Sequence, residues 1–172
     1  MRAELYPSPN HGPRRKAISA VVIHYTGSLA MEGVLRWFAQ RESGQSAHYV
    51  VGRDGRLVQM VEESEAAWHA GRSAMFPREK PPRESNVNDF SLGIELVGTA
   101  DSGFTDRQLA ALYALLERLV ATYRILPERV VGHAHVAPGR KIDPDGFDRQ
   151  LNWAKVRQVC QTALQASARQ VP

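Results

Sequence analysis

The apolar positions of this chain switch repeatedly between two spacings. Residues 18–25 (ISAVVIHY) form a β-branched apolar run of strand length that closes at His24. Gly27 and Ser28 break it. From residue 30 to 40, Met31, Val34, Leu35 and Phe38 follow the 3.6-residue period of an amphipathic helix, which Gly44 ends. Residues 47–51 and 57–61 are two short strand candidates joined through Asp54-Gly55, a strong hairpin signal. Residues 90–97 (FSLGIELV) read as another buried strand. Thr105 is placed to cap a helix, with Gln108 at the capping-box position. Leu109, Leu112, Tyr113, Leu116, Leu119, Val120 and Tyr123 give that helix a long apolar face. Pro127 separates it from a short strand at 129–131, and a last helix runs from about residue 151 to 168.

Strands alternating with helices predict an α/β fold, a central mixed β-sheet flanked by helices. The hairpin supplies antiparallel pairing and the interleaved helices imply parallel pairing. Two segments read as irregular: a long surface loop over 71–90, and a Gly/Pro-rich loop over 132–147. Residues 7–16, with three prolines and Arg14-Arg15-Lys16, read as part of an extended N-terminal arm (1–16).

With 172 residues, the sequence fits one domain that can bury a full core without staples. Its single cysteine, Cys160, excludes an internal disulfide and reads as packing in the last helix. Twenty-two Lys and Arg against 18 Asp and Glu give a formal charge of +4. That balance suits anionic partners but is no basic stripe, and no aromatic platform is interleaved with basic residues, so nucleic-acid binding is not expected. No stretch approaches the ~20 apolar residues of a membrane span, and the N-terminus lacks the apolar core of a secretory signal. The expectation is a cytoplasmic protein without membrane contact; a form whose signal has already been removed would read the same, and a wall-lytic role would require release to the cell wall. Oligomeric state is not legible.

The candidate chemistry gathers at strand ends. His24 leaves one buried strand; His133 and His135 follow another, and Asp143 lies in the same loop. Two imidazoles and one carboxylate are a recurring ligand set for catalytic zinc, with a fourth position open for water. Each residue alone has a plainer reading, as a hydrogen-bonded histidine or a turn-starting Asp-Pro. Glu95 stands inside the apolar run LGIELV, where burial is costly unless the charge is paired or used, and would raise its pKa toward that of a general base. An edge strand with Glu95 facing water is the alternative. Lys141, two residues before Asp143, is placed to stabilise an oxyanion, or is an ordinary solvated lysine.

These residues sit in the words VVIHYTG, SAHYVVGRDG, AWHAG, NDFSLGIELVGT and GHAHVAPGRKIDP. In that order they resemble the zinc-dependent N-acetylmuramoyl-L-alanine amidases of the amidase-2 group, over roughly residues 7 to 158. The resemblance implies a mixed sheet flanked by helices, with Zn2+ in a groove at one sheet face. It implies His24, His133 and Asp143 as metal ligands, Glu95 as general base and Lys141 as catalytic lysine. Arg140 would meet carboxylates of the stem peptide, and Tyr25, Trp68 and His69 would line the groove. His135 is a rival ligand, and His48 reads as structural. Ala47 stands where phage members carry a catalytic tyrosine, which leaves Glu95 to act alone. The implied activity is hydrolysis of the amide between the N-acetylmuramoyl lactyl group and L-alanine, on peptidoglycan or muropeptides. A non-catalytic muropeptide-binding module is the alternative. The basic residues Arg72, Arg78, Lys80, Arg83 and Arg140 are candidates to attract the anionic substrate.

Overall fold

The computed structural model describes residues 2–75, 84–145 and 151–169. In chain order these form β1 (Glu4–Leu5), β2 (His11–Pro13), β3 (Ala20–Tyr25), α1 (Met31–Phe38), β4 (Tyr49–Val51), β5 (Leu57–Gln59), β6 (Glu65–Ala67), β7 (Ala74–Met75), β8 (Glu84–Ser85), β9 (Ser91–Leu96), α2 (Asp106–Tyr123), β10 (Val130–Gly132), α3 (His133–Val136) and α4 (Trp153–Ala168). Six strands make one mixed sheet in the order β1-β5-β4-β9-β3-β10. β3 is parallel to both β9 and β10, while β4 and β5 form the expected antiparallel hairpin. Gly55 takes a φ of 88° at its turn, and Asp54 Oδ1 accepts from the Arg56 amide at 3.0 Å.

Strand side chains alternate between faces, and in β3 and β9 this sorts the core from the chemistry. Val21, Ile23, Leu92, Ile94 and Leu96 all join one cluster, which Leu112, Leu116 and Leu119 of α2 and Val156 and Cys160 of α4 complete. Each fully buried Leu or Ile there contributes roughly 1.5–3 kcal/mol. Ala20 and Val22 turn to the opposite face, beside Val87, Phe90 and Val131. His24 and Glu95 follow on that second face by the same alternation, and the ladder pairs them directly. Cys160 is buried in the core, where burial pushes its thiol up to about 11.

Several expectations shift in detail. The predicted strands and helices are present; most are shorter by one to three residues at their ends, β10 is shifted by one, and α2 runs from its Thr105 cap to Tyr123 as expected. Thr105 caps α2, its hydroxyl oxygen accepting from the Gln108 amide at 3.2 Å. Gln108 does not fold back to close a capping box. Its buried amide instead donates to the carbonyls of Val51 (2.9 Å) and Val97 (3.0 Å), tying α2 to the ends of β4 and β9. The N-terminal segment is extended, yet it is pinned along its length: β1 pairs with β5 and β2 with β6. Arg14 anchors it further, donating to the carbonyls of Glu63 (2.9 Å), Glu65 (2.6 Å) and Ser91 (3.1 Å). The stretch expected to be a loop over 71–90 is not all surface: β7 pairs with β8, and Val87 and Phe90 are fully buried. These short elements carry no period that a sequence window detects. Likewise the loop expected from 132 opens with the single-turn helix α3. Among the described residues no helix is long and apolar enough to cross a membrane.

The loop before β6 is joined to α2 by Glu63. Its carboxylate accepts from Tyr49 and Tyr123 hydroxyls, both at 2.5 Å, and from Arg118 at 2.6 Å. Burial acts to raise the Glu63 carboxyl, but Arg118 and the two phenols outweigh it and hold it below the usual range. A depressed carboxyl contributes stability above its unfolded pKa and loses it as pH falls through the folded value. Glu63→Gln should therefore cost about 1–3 kcal/mol at neutral pH and flatten the loss of stability between about pH 5 and pH 3. Urea unfolding at both ends of that window is the check, and an unaltered acid limb would refute the assignment.

Candidate metal and catalytic site

Parallel register brings the distant residues together. β10 pairs Gly132 with Ile23, so the next residue, His133, stands level with His24 at the carboxyl ends of the two strands. Asp143 returns from the following loop, where its carbonyl accepts from the Ala134 amide at 2.8 Å. The turn depends on Gly132. A β-carbon there would lie 2.5 Å from Pro144 Cδ, so a larger residue would push Asp143 off its position.

His24 Nδ1 lies 3.0 Å from His133 Nδ1 and 3.0 Å from Asp143 Oδ2, and His133 Nδ1 lies 3.1 Å from the same oxygen. All three residues are buried. Bonds of about 2.0–2.1 Å in a tetrahedral site place donors about 3.3 Å apart, close to this triangle. The chemistry of the donors agrees. His133 Nε2 is 3.1 Å from the Ala70 carbonyl, which only accepts, so that nitrogen carries the hydrogen and Nδ1 presents a lone pair. The group can hold a metal ion. Burial lowers His24 to about 4 against the pull of Asp143, so its ring is neutral and fit to ligate.

His135 does not join the set. Its Nδ1 accepts from the Gly132 amide at 3.1 Å, and its ring stands edge-on to Trp153 at 5.2 Å. His48 is structural: its Nδ1 accepts from the Gly93 amide at 2.9 Å, and its Nε2 reaches the Glu65 carbonyl at 3.1 Å.

A groove of about 720 Å³ opens on this cluster and is lined by His24, Tyr25, His69, Glu95, His133, Arg140, Lys141 and Asp143. Glu95 is in a central strand rather than at an edge. It is 9% exposed, and among the described residues its Oε2 is buried without a hydrogen-bond partner. Burial, then Asp143, push its carboxyl up to about 8, with Lys141 pulling the other way. Lys141 is exposed at the groove rim. Arg140 Nη2 donates to the carbonyls of Ala70 (3.0 Å) and Arg72 (2.8 Å), which aims the guanidinium along the groove wall. Trp68 is not among the lining residues. It is exposed, with its indole beside Gly12. His69 reaches the site from behind His24, with its Nδ1 3.0 Å from His24 Nε2. Arg78, Lys80 and Arg83, expected to attract an anionic substrate, lie outside the described residues.

The second wall of the groove was not foreseen. It includes Val34, Trp37 and Phe38 of α1, with Gln45 beyond them. Trp37 is 47% exposed. Its signal in the sequence is position: it falls off the Met31-Val34-Leu35-Phe38 face, and a tryptophan on the solvent side of a helix wants another reason to be there. A larger recess of about 1290 Å³ lies on another part of the surface, lined among others by Glu4, Glu62, Glu63 and Arg118. Size does not locate the chemistry here; convergent buried donors do.

A mixed sheet carrying a buried His-His-Asp donor set, with a carboxylate beside it in an open groove, has the layout suited to metal-assisted hydrolysis. The family model for N-acetylmuramoyl-L-alanine amidase matches residues 14–146, and the chain belongs to that family. It is 43% identical over 113 residues to the 1,6-anhydro-N-acetylmuramyl-L-alanine amidase AmpD of Salmonella typhimurium (strain SL1344), a match covering 65% of this chain and 55% of that protein. The chain thus spans about half the length of the curated relatives it matches. Its fold is similar to that in a crystal structure of a selenomethionine derivative of AmpD, with a TM-score of 0.76 at 31% identity over 91% of this chain and 93% of that one. It is also similar to the amidase AmiD from E. coli in complex with anhydro-N-acetylmuramic acid-L-Ala-D-gamma-Glu-L-Lys, with a TM-score of 0.70 at 34% identity over 85% and 61% of the two chains.

The donor triangle predicts one tight zinc equivalent per chain. His133→Ala should weaken binding at least ~100-fold, while His135→Ala should stay within about threefold of the parent. Competition against a chromophoric chelator measures both, and equal losses would mean that the wrong histidine has been assigned.

Proposed function

We propose that this chain is a zinc-dependent N-acetylmuramoyl-L-alanine amidase, cleaving the amide between the lactyl group of N-acetylmuramic acid and L-alanine. The observation that carries this reading is the register of the central ladder, which sets the donor His24 beside the buried, partly unpartnered carboxyl of Glu95. Family membership and the identity with AmpD support it. The names of those relatives favour soluble 1,6-anhydro-muropeptides as the substrate form. On this reading the protein works on small fragments in the cytoplasm.

His24, His133 and Asp143 would hold the zinc. Such an ion, when bound, polarises a carbonyl and lowers the pKa of a bound water to about 7. Glu95 takes the proton from the attacking water on its free oxygen and later gives it to the departing amine of L-alanine. Its raised pKa suits both halves of that task, because the same group must be a base first and an acid afterwards. Lys141 places an ammonium where the carbonyl oxygen gains charge. Arg140 faces the stem-peptide carboxylates, and Tyr25 and His69 shape the binding surface. Ala47, without a hydroxyl, leaves the proton transfers to Glu95.

Glu95→Gln should keep zinc but lose about 10²–10⁴ in kcat, and Lys141→Ala about 10²–10³. Release of L-alanyl peptide from purified 1,6-anhydro-muropeptide is the assay, run beside intact sacculi. Wild-type turnover in both variants would end the mechanism. Chelator treatment separates an enzyme from a pure binder: cleavage should stop, and a muropeptide held equally well with and without chelator, but never cut, would favour a recognition module.

A further inference from the structure

We infer that the dipeptide His69-Ala70, backed by Asn88 and Ser91, is a positioning layer that fixes both candidate ligand histidines in the ring form that presents Nδ1 to the ion. The inference rests on the metal reading of His24, His133 and Asp143. The hydrogens can be assigned from the far end of a chain of contacts. The Val87 carbonyl only accepts, so the Ser91 hydroxyl, 2.6 Å away, must give it its hydrogen. Ser91 Oγ then accepts from His69 Nε2 at 3.1 Å. His69 Nδ1 is therefore bare and accepts from His24 Nε2 at 3.0 Å. With its hydrogen on Nε2, His24 turns a lone pair on Nδ1 toward His133 and Asp143.

The second branch starts one residue on. The Ala70 carbonyl accepts from His133 Nε2 at 3.1 Å, which bares His133 Nδ1 in the same way. Both branches share one anchor. Asn88 Oδ1 accepts from the amide of His69 (3.3 Å) and from that of Ala70 (2.9 Å). The floor is Gly93: a β-carbon there would sit 2.5 Å from His69 Cγ, so the ring can lie on the strand only over a glycine. Four positions that touch no ion thus decide which nitrogen of each ligand is available. Partners of this kind typically change metal affinity by about 10–100-fold when removed.

The test uses the full chain, metal-free and zinc-loaded, near pH 8 so that imidazoles are neutral. Long-range ¹H–¹⁵N spectra of the metal-free protein report which ring nitrogen carries the hydrogen. His24, His69 and His133 should all be protonated on Nε2. In Ser91→Ala, His69 and His24 should become mixtures of the two ring forms, and zinc should bind about 10–100-fold more weakly. Asn88→Ala should weaken zinc about tenfold, and Asn88→Asp, which keeps an acceptor oxygen at that place, should restore it to within about threefold. Thermal unfolding of each variant verifies that it folds. Zinc affinity and ring forms that match the parent in Ser91→Ala and Asn88→Ala would overturn the layer alone. A parent protein that binds no zinc would overturn the metal reading and the layer with it.

Discussion

The parallel ladder that joins β3 to β9 on one side and β10 on the other is the constraint on which everything else depends. It sets His24 opposite Glu95 and carries β10 out so that His133 emerges beside His24. Strand side chains alternate with a period of two, so a slip of one residue in β3 would put His24 into the apolar layer under α2 and α4 and turn Val21 and Ile23 onto the opposite face. That register is held by burial. The residues on the helix-covered face of β3 and β9 have no exposed surface to lose, and a slipped pairing would give up several side chains' worth of burial at once.

The same ladder makes the site a polar wedge at the end of an apolar sheet. Buried polar groups are tolerated when each finds a partner. Most here do: His48 is satisfied by the Gly93 amide and the Glu65 carbonyl, and His133 by the Ala70 carbonyl. The exceptions are informative. Glu95 Oε2 is buried without a partner, and the three facing donor atoms of His24, His133 and Asp143 lie closer than neutral lone pairs would choose. Asn10 Oδ1 and Gln108 Oε1 are also buried without partners among the described residues; what marks the site is that its unpaired atoms converge on one groove.

Much of this was legible in the sequence because long runs carry clear periods. The β-branched run ending at His24, the run containing Glu95, and the apolar face of α2 each announced element and type. The short strands around 74–75 and 84–85, the Asn88 and Ser91 supports, and the wall contributed by Trp37 were not. Two-residue strands have no measurable period, and a supporting hydrogen bond is a relation between residues far apart in the chain. Gln108 shows the limit from the other side. A local motif predicts that it caps its own helix, but the strand-end carbonyls of Val51 and Val97 give its amide two acceptors on the sheet. Sequence spacing does not separate His133 from His135; the fold does, since His135 is occupied with the turn that starts α3.

His24 is separated from its two partner donors by 109 and 119 positions. Parallel pairing over such distances closes slowly, because the entropy of a large loop must be met before any contact rewards it. The donor cluster therefore forms only once the segment through Asp143 is in place, and a nascent polypeptide that has not yet reached Asp143 has the first histidine but no chelate. Assembly of the donor set in this architecture is a readout that strands far apart in the chain have found each other.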